Sequence, residues 1–369
     1  MGQPGRRLRL AWVSLLLAGC SLNSAATTTS PSPPAGLSDR EKAVSAAHQF
    51  LRRWVDPDGR VVRRDQGNDT VSEGQGYALL LAVATDDPGT FAGVWTWTRE
   101  HLQQPNGLFA YHWSGGQVLD RTPAADADTQ IAWALTLGGR RFHRPDYTAE
   151  ARRLATTIVS VEAGYDDQGR VTLAAGPWAV VAGRPLTVEP GYWTPPANAA
   201  LAALTSDRRW QDMTTSDTSH LGQLTRGGKL LPPDWALLGQ GPPRASGSPD
   251  GGTPAQYGPD AMRAAVWNSC TPAGRDLVGR WWTLLSSTAS QAPLALNLDG
   301  TVRTSSRAPL AAVAAAAAAQ AVGHPLTSRS LLDAGATTAA QYPTYYGDAW
   351  VALGRILLTT GLLADCGGG

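Results

Sequence analysis

The chain has 369 residues, with 31 Lys and Arg against 30 Asp and Glu, 43% hydrophobic residues and 3 cysteines. That length suits one large domain or two ordinary ones, and a charge this balanced, without a basic block, excludes a surface built to neutralise a nucleic-acid backbone. Three cysteines cannot build a disulfide scaffold and fit no CxxC or Cys/His zinc spacing, so neither a metal nor another cofactor is expected.

The N-terminus carries Arg6, Arg7 and Arg9, an apolar run over 10–18, and then Leu17-Ala18-Gly19-Cys20. A run this short cannot cross about 30 Å of hydrocarbon as a helix, so it reads as a signal-peptide core and implies export. Leu-Ala-Gly-Cys resembles the lipobox of bacterial lipoproteins. The resemblance implies cleavage after residue 19, diacylation of Cys20 and a membrane-anchored protein of the bacterial envelope; ordinary cleavage near Ala25-Ala26, with secretion, is the alternative. Two acyl chains suffice for stable anchoring. Residues 20–37 would then be the lipidated Cys and a Ser/Thr/Pro tether, which lacks the bulky apolar residues needed to bury a core. A single folded domain is expected over 38–366.

From Ser38 onward, helical spacing alternates with Gly/Pro punctuation, and two-residue alternation is confined to short pieces at 60–64 and 169–174. The spacing predicts helices near 39–54, 73–85, 89–103, 127–141, 146–160, 195–205, 207–223, 260–269, 273–286, 308–322, 328–338 and 347–362. The even-numbered members are the more apolar or small-residue-rich, as in 77–84, 131–137 and 311–319, and a helix apolar on most sides belongs in an interior. Six inner and six outer helices make an all-α (α/α)6 toroid. If consecutive helices run antiparallel, the inner N-termini gather at one mouth.

Acids stand at those starts: Glu73, Asp126, Asp128, Asp260 and Asp348. Each has a plain alternative, since Ser72, Asp126, Asp260 and Asp348 are good N-caps and an acid in the first turn complements the helix dipole. The set is more telling than any member, because these acids lie beside Gly74, Gly76, Tyr77, Trp193, Tyr345 and Tyr346, where backbone and flat rings would line a sugar-sized groove. Two carboxyl groups facing each other across a cleft are sufficient to split a glycosidic bond, with no cofactor. The 14 tryptophans suit a polysaccharide surface, with core packing as the alternative.

The stretches Ser72-Glu73-Gly74-Gln75-Gly76-Tyr77 and Ala124-Ala125-Asp126-Ala127-Asp128-Thr129 resemble glycoside hydrolase family 8. In the same order follow Glu189-Pro190-Gly191-Tyr192, Leu231-Pro232-Pro233-Asp234-Trp235, Tyr257-Gly258-Pro259-Asp260-Ala261-Met262-Arg263 and Tyr345-Tyr346-Gly347-Asp348. The resemblance spans roughly residues 40–365. It implies the same (α/α)6 fold and an inverting endo-acting hydrolase of β-1,4-linked glycans, cellulose above all. Carried over by position, it implies Glu73 as general acid, Asp126 as the acid that grips the sugar at the cleavage point, Asp260 as general base and Arg263 as the residue that orients it. Tyr192, Trp193, Trp235 and Tyr346 are expected to stack on sugar. Inversion requires a Glu73–Asp260 carboxyl separation of about 6.5–9.5 Å. The chain departs from the family where Ala125 replaces a usual Thr, where Glu189-Pro190-Gly191-Tyr192 replaces Asn-Pro-Ser-Tyr, and where Pro259 precedes Asp260.

The expected partner is a β-linked polysaccharide, with the protein a monomer. Alternatives within the family are a xylanase, a chitosanase or a mixed-linkage glucanase; outside enzymes, a non-catalytic glycan-binding lipoprotein is the competing reading. Cys270 and Cys366 follow the eighth and twelfth helices at the end opposite the cleft, where either a disulfide or two separate thiols would fit.

Overall fold

The computed structural model describes residues 36–364 and 366; the expected signal segment, Cys20 and nearly all of the tether lie outside the described residues. Twelve α-helices appear among the described residues, each overlapping a segment of helical spacing. They are α1 (Asp39–Trp54), α2 (Ser72–Ala84), α3 (Pro88–His101), α4 (Ala125–Arg141), α5 (Pro145–Val161), α6 (Pro195–Thr205), α7 (Arg209–Leu224), α8 (Pro259–Asn268), α9 (Pro272–Leu285), α10 (Pro309–Ala321), α11 (Pro325–Gln341) and α12 (Tyr345–Thr359).

Their burial sorts them into two layers. Almost every residue of α2, α10 and α12 is buried, and α4 is buried from Ala125 to Thr136. Helices α1, α5 and α9 instead bury one stripe, as Ala43, Ala47, Phe50, Leu51 and Trp54 do in α1. The inner helices touch in the order α2, α4, α6, α8, α10, α12 and back to α2, so the ring closes. Helix α10 is rich in alanine, with an unbroken run over 314–319, which keeps the helices around it close with little loss of side-chain entropy.

Among the described residues, eight short strands form three small sheets between helices. Strands β1 (Thr70–Val71), β2 (His112–Ser114) and β3 (Gln117–Asp120) make one. A hairpin of β4 (Ala163–Tyr165) and β5 (Val171–Leu173) makes the second, and β6 (Leu186–Val188), β7 (Trp235–Leu238) and β8 (Arg244–Ser246) the third. The alternation at 169–174 becomes β5, whereas 60–64 contributes only isolated bridges at Val61 and Arg63. Strands of two to four residues are too short for a period-2 pattern to stand out in sequence. They matter because β1 runs directly into α2 and β6 leads to the turn before α6.

Cys270 and Cys366 are joined by a disulfide that ties the end of α8 to the end of α12. Replacing both by Ser is expected to cost about 2–4 kcal/mol of stability by freeing a long loop in the unfolded chain. Peptide mapping without reductant checks the bond and thermal melting checks the cost; two free thiols in the purified protein would remove the effect.

Candidate active site

Glu73, Asp126 and Asp260 share one helical address. Each is the second residue of an inner helix, after Ser72 in α2, Ala125 in α4 and Pro259 in α8. None of these three helices has a side-chain cap from its own N-cap residue, whereas α1, α3, α9 and α12 are capped by Ser38, Asp87, Thr271 and Thr344. Asp126 itself accepts from Ala127 N–H at 2.8 Å, and all three acids stand in a first turn, so each keeps a favourable place at a helix start in addition to whatever it does in the cleft. Position and backbone direction are set from outside the helices: Ser72 N–H donates to the Tyr111 carbonyl beside β2, and Ala125 N–H to the Ala175 carbonyl. At α8 the cap comes from a distant loop, where Asp234 accepts from Gly258 N–H and Ala261 N–H at 2.9 Å each.

Asp348 behaves differently. It is the fourth residue of α12, about two residues past the common address, and its Oδ2 accepts from Arg53 Nη1 at 2.9 Å and Trp54 Nε1 at 2.8 Å. It pins α12 to α1, and the structure leaves it out of the carboxylate group around Arg263.

That group is organised by one guanidinium. Arg263, 1% exposed, donates from Nη1 to Glu73 Oε2 at 2.9 Å and Asp126 Oδ2 at 2.8 Å, and from Nη2 to Glu189 Oε2 at 3.1 Å and Asp260 Oδ1 at 3.2 Å. Its flat face lies 5.0 Å from the Tyr192 ring centre. Glu73 and Asp260 bond to different nitrogens of the same planar fork, so the bonded oxygens are at most about 8.5 Å apart. Both the retaining separation of about 5–5.5 Å and the lower part of the inverting range of about 6.5–9.5 Å fit under that ceiling.

The carboxyls differ in environment. Glu73 is 16% exposed at its side chain. Burial, reinforced by Asp126 and Asp260 against the pull of Arg263, raises its pKa from 4.5 to about 7. Tyr345 OH donates to Glu73 Oε1 at 3.3 Å, in space that only a glycine at 74 leaves free, since a Cβ there would sit 2.7 Å from that hydroxyl. Asp126 is buried, and burial raises its pKa against the attraction of Arg263. Asp260 is the open member, with 43% of its side chain exposed. Asp234, behind it, is raised by burial and by Asp260 to about 7.

The residues expected to stack on sugar fare unevenly. Trp193 does not face a cleft: it is 1% exposed, donates Nε1–H to the Leu173 carbonyl at 3.1 Å and packs in the core beside His220. Sequence alone cannot tell which residue of the Tyr192-Trp193 pair faces inward. Tyr192 lies under Arg263 rather than on the surface, Trp235 is buried against Trp178, and Tyr346, partly exposed, donates its hydroxyl to the Pro259 carbonyl at 3.3 Å. Glu189 and Asp234 belong to the site although sequence reasoning gave neither a role. Their signal was present, as Glu189 opens a quoted motif and Asp234 closes Leu231-Pro232-Pro233-Asp234. Tyr345 and Tyr111 join them, Tyr111 being close enough to Glu73, Asp126 and Asp260 for their charges to raise its hydroxyl pKa, though burial raises it most.

A closed double ring of helices with several acids held at the inner-helix N-termini is the architecture of a toroidal glycoside hydrolase. The chain belongs to glycosyl hydrolases family 8, whose model matches residues 11–351. Among curated relatives, it is 31% identical over 233 residues to a probable endoglucanase of Novacetimonas hansenii, an alignment covering 59% of this chain and 64% of that protein, just under two thirds of its length. Among solved structures, it resembles an endo-β-1,4-glucanase from Acetobacter xylinum, with 25% identity, a TM-score of 0.70, and coverage of 86% of this chain and 98% of the other. It also resembles a family 8 endoglucanase from Klebsiella pneumoniae, with 25% identity, a TM-score of 0.70, and coverage of 84% and 97%.

Proposed function

We propose that this chain is an inverting endo-β-1,4-glucanase in which Glu73 is the general acid and Asp260 the general base. The observation that carries the reading is the pairing, on one guanidinium, of a buried carboxyl whose pKa is raised to about 7 with a carboxyl that is open to solvent. Endoglucanase is also the description of the relatives above.

The steps follow from the hydrogen bonds. Glu73 Oε2 faces Arg263, so its proton belongs on Oε1, the oxygen shared with Tyr345. From there it passes to the glycosidic oxygen as the leaving sugar departs. Asp260 Oδ1 is tethered to Arg263 Nη2, which leaves Oδ2 to take a proton from water attacking the opposite face of the sugar ring. Asp126, held by Arg263 and by Ala127 N–H at 2.8 Å, grips the hydroxyls of the sugar being distorted. Water enters opposite the leaving group, so a β-linkage yields an α-anomer. The reading extends to the whole chain: residues 1–19 as a signal segment, Cys20 lipidated, a tether up to residue 37, and a hydrolase domain working outside the cytoplasm, anchored to the envelope or secreted.

Incubation with a soluble cellulose derivative, mixed-linkage glucan, xylan and chitosan tests this. The cellulose derivative is expected to lose viscosity well before its reducing ends rise in proportion, and proton NMR of fresh oligosaccharide product is expected to show the α-anomer first. Initial β-anomer would replace inversion by retention and remove the role given to Asp260. Preferential cleavage of xylan or chitosan would move the substrate while keeping the acid and base.

A further inference from the structure

Glu189 has no part in the steps above, yet it occupies one of the four bonding positions on Arg263 that the carboxyls share. It follows β6 and opens the 3-10 turn Pro190–Tyr192, which lies hard on the start of α8: a Cβ on Gly191 would stand 1.8 Å from the Asp260 carbonyl oxygen. The glycine permits a contact that fixes the Glu189 backbone relative to Arg263. With 3% of its side chain exposed, Glu189 is sealed behind the guanidinium and is not placed to exchange protons with substrate or bulk water.

The charges around it are countable. From α8 it faces Arg263 and Asp260, from α4 Asp126, and from its own turn the Tyr192 hydroxyl. Four carboxyls on one guanidinium cannot all be ionised in a buried cluster. The reaction needs Asp260 charged, and Asp126 has Arg263 within 2.8 Å. Glu73 must be neutral when it acts. Glu189 is the fourth, and nothing in the reaction requires its charge.

Resting on the reading of Glu73 and Asp260 given above, we propose that Glu189 is a positioning residue that works as an uncharged hydrogen-bond partner of Arg263. Its carbonyl oxygen takes one of the two Nη2 hydrogens and aims the other at Asp260. An ionised Glu189, at 3.1 Å against 3.2 Å for Asp260 and far drier, would draw the guanidinium away from the open carboxylate. The burial that dominates its surroundings pushes its pKa well above the ordinary carboxyl value, in keeping with this role.

Two variants of the full chain test the idea, Glu189→Gln and Glu189→Leu. The amide accepts the same hydrogen bond without charge, so Glu189→Gln is expected to keep kcat within about 5-fold of wild type and leave the alkaline limb of the pH profile in place. Glu189→Leu loses the acceptor and is expected to lower kcat by about 50-fold or more with KM little changed, since the residue does not touch substrate. A Glu189→Gln limb displaced by a full pH unit, or a kcat as low as that of the Leu variant, would overturn the proposal, as would a Leu variant of wild-type kcat. A second readout needs no activity. If Glu189 is held neutral, it adds its own loss of stability to wild type as pH rises from the unfolded carboxyl range toward the folded value, and Glu189→Gln is spared that share of the loss. The melting-temperature advantage of the Gln variant is then expected to widen by several degrees between pH 5 and 8, and a flat difference would overturn the proposal even if no glycan were cleaved. Wild type inactive on every glycan, with that widening present, would instead count against the hydrolase reading alone.

Discussion

Glu73→Gln is expected to abolish glycan hydrolysis and, at pH 8, to make the protein more stable than wild type. Removing the proton donor forfeits general acid catalysis, typically 10²–10⁴-fold, and the poor leaving ability of an unprotonated sugar places the loss toward the upper end. The amide keeps the hydrogen bonds to Arg263 Nη1 and Tyr345 OH, so the fold and the other carboxyls stay in place. The gain in stability comes from the same burial that raises the Glu73 pKa from 4.5 to about 7. A carboxyl protonated more tightly in the folded than in the unfolded chain costs stability as pH climbs from the unfolded value through the folded one, and that cost is complete above it. Gln does not titrate, so the variant and wild type converge near pH 4 and diverge by on the order of 1–3 kcal/mol by pH 8, the lower end allowing for partial exposure and the loss of an ion pair. Wild-type activity falls above about pH 7 for the same reason, as the acid loses its proton. Thermal melts at pH 4 and 8, beside a viscosity assay, read both effects. Undiminished cleavage by the variant would remove Glu73 as the acid, and equal melting temperatures at pH 8 would mean its burial carries no cost.

The coupling of activity to instability marks what the sequence could convey. Helix periodicity, Gly/Pro punctuation and the apolar surplus of alternate helices are local properties, and they were enough for twelve helices in two layers. The acids of α2, α4 and α8 were also legible, because a helix start is a local event and all three fall on the second helical residue. What is not local was lost. Asp348 resembles the other acids in its neighbours and differs only by helical phase, which turns it toward Arg53 and Trp54. Tyr192 and Trp193 are adjacent and equally aromatic, and which one meets Arg263 depends on the turn laid against α8. The roles of Glu189 and Asp234 are set by partners 74 and 27 residues away. Charge count is equally non-local: four carboxyls scattered over the chain look ordinary until one guanidinium is seen to hold them all.

That dependence makes Arg263→Lys a damaging change even though it conserves the charge. The guanidinium serves Glu73 and Asp126 through Nη1 and Glu189 and Asp260 through Nη2, while its face covers Tyr192. Lysine keeps the positive charge but offers three donors from one atom on a flexible stem, and cannot reach carboxyls on both sides of a planar fork. Two of the four carboxyls would be left with no cation, in a site where Asp126 and Glu189 are only 2% and 3% exposed. They respond by taking up protons, and the first to suffer is the pair whose charge states must differ. Loss of a partner in a buried ion network costs about 3–5 kcal/mol, so the variant is expected to melt several degrees lower. Catalysis should fall by at least about 10³-fold, because the donor and the base are displaced together and small misplacements in a reacting geometry are costly. The stability loss should shrink as pH is lowered toward 4, where the buried carboxyls are neutral without help, while the activity should not return, since the donor and the base remain displaced from each other. Activity recovered at low pH would show that Arg263 only balances charge; activity lost at every pH, with stability regained, shows that it sets the geometry of the acid and the base.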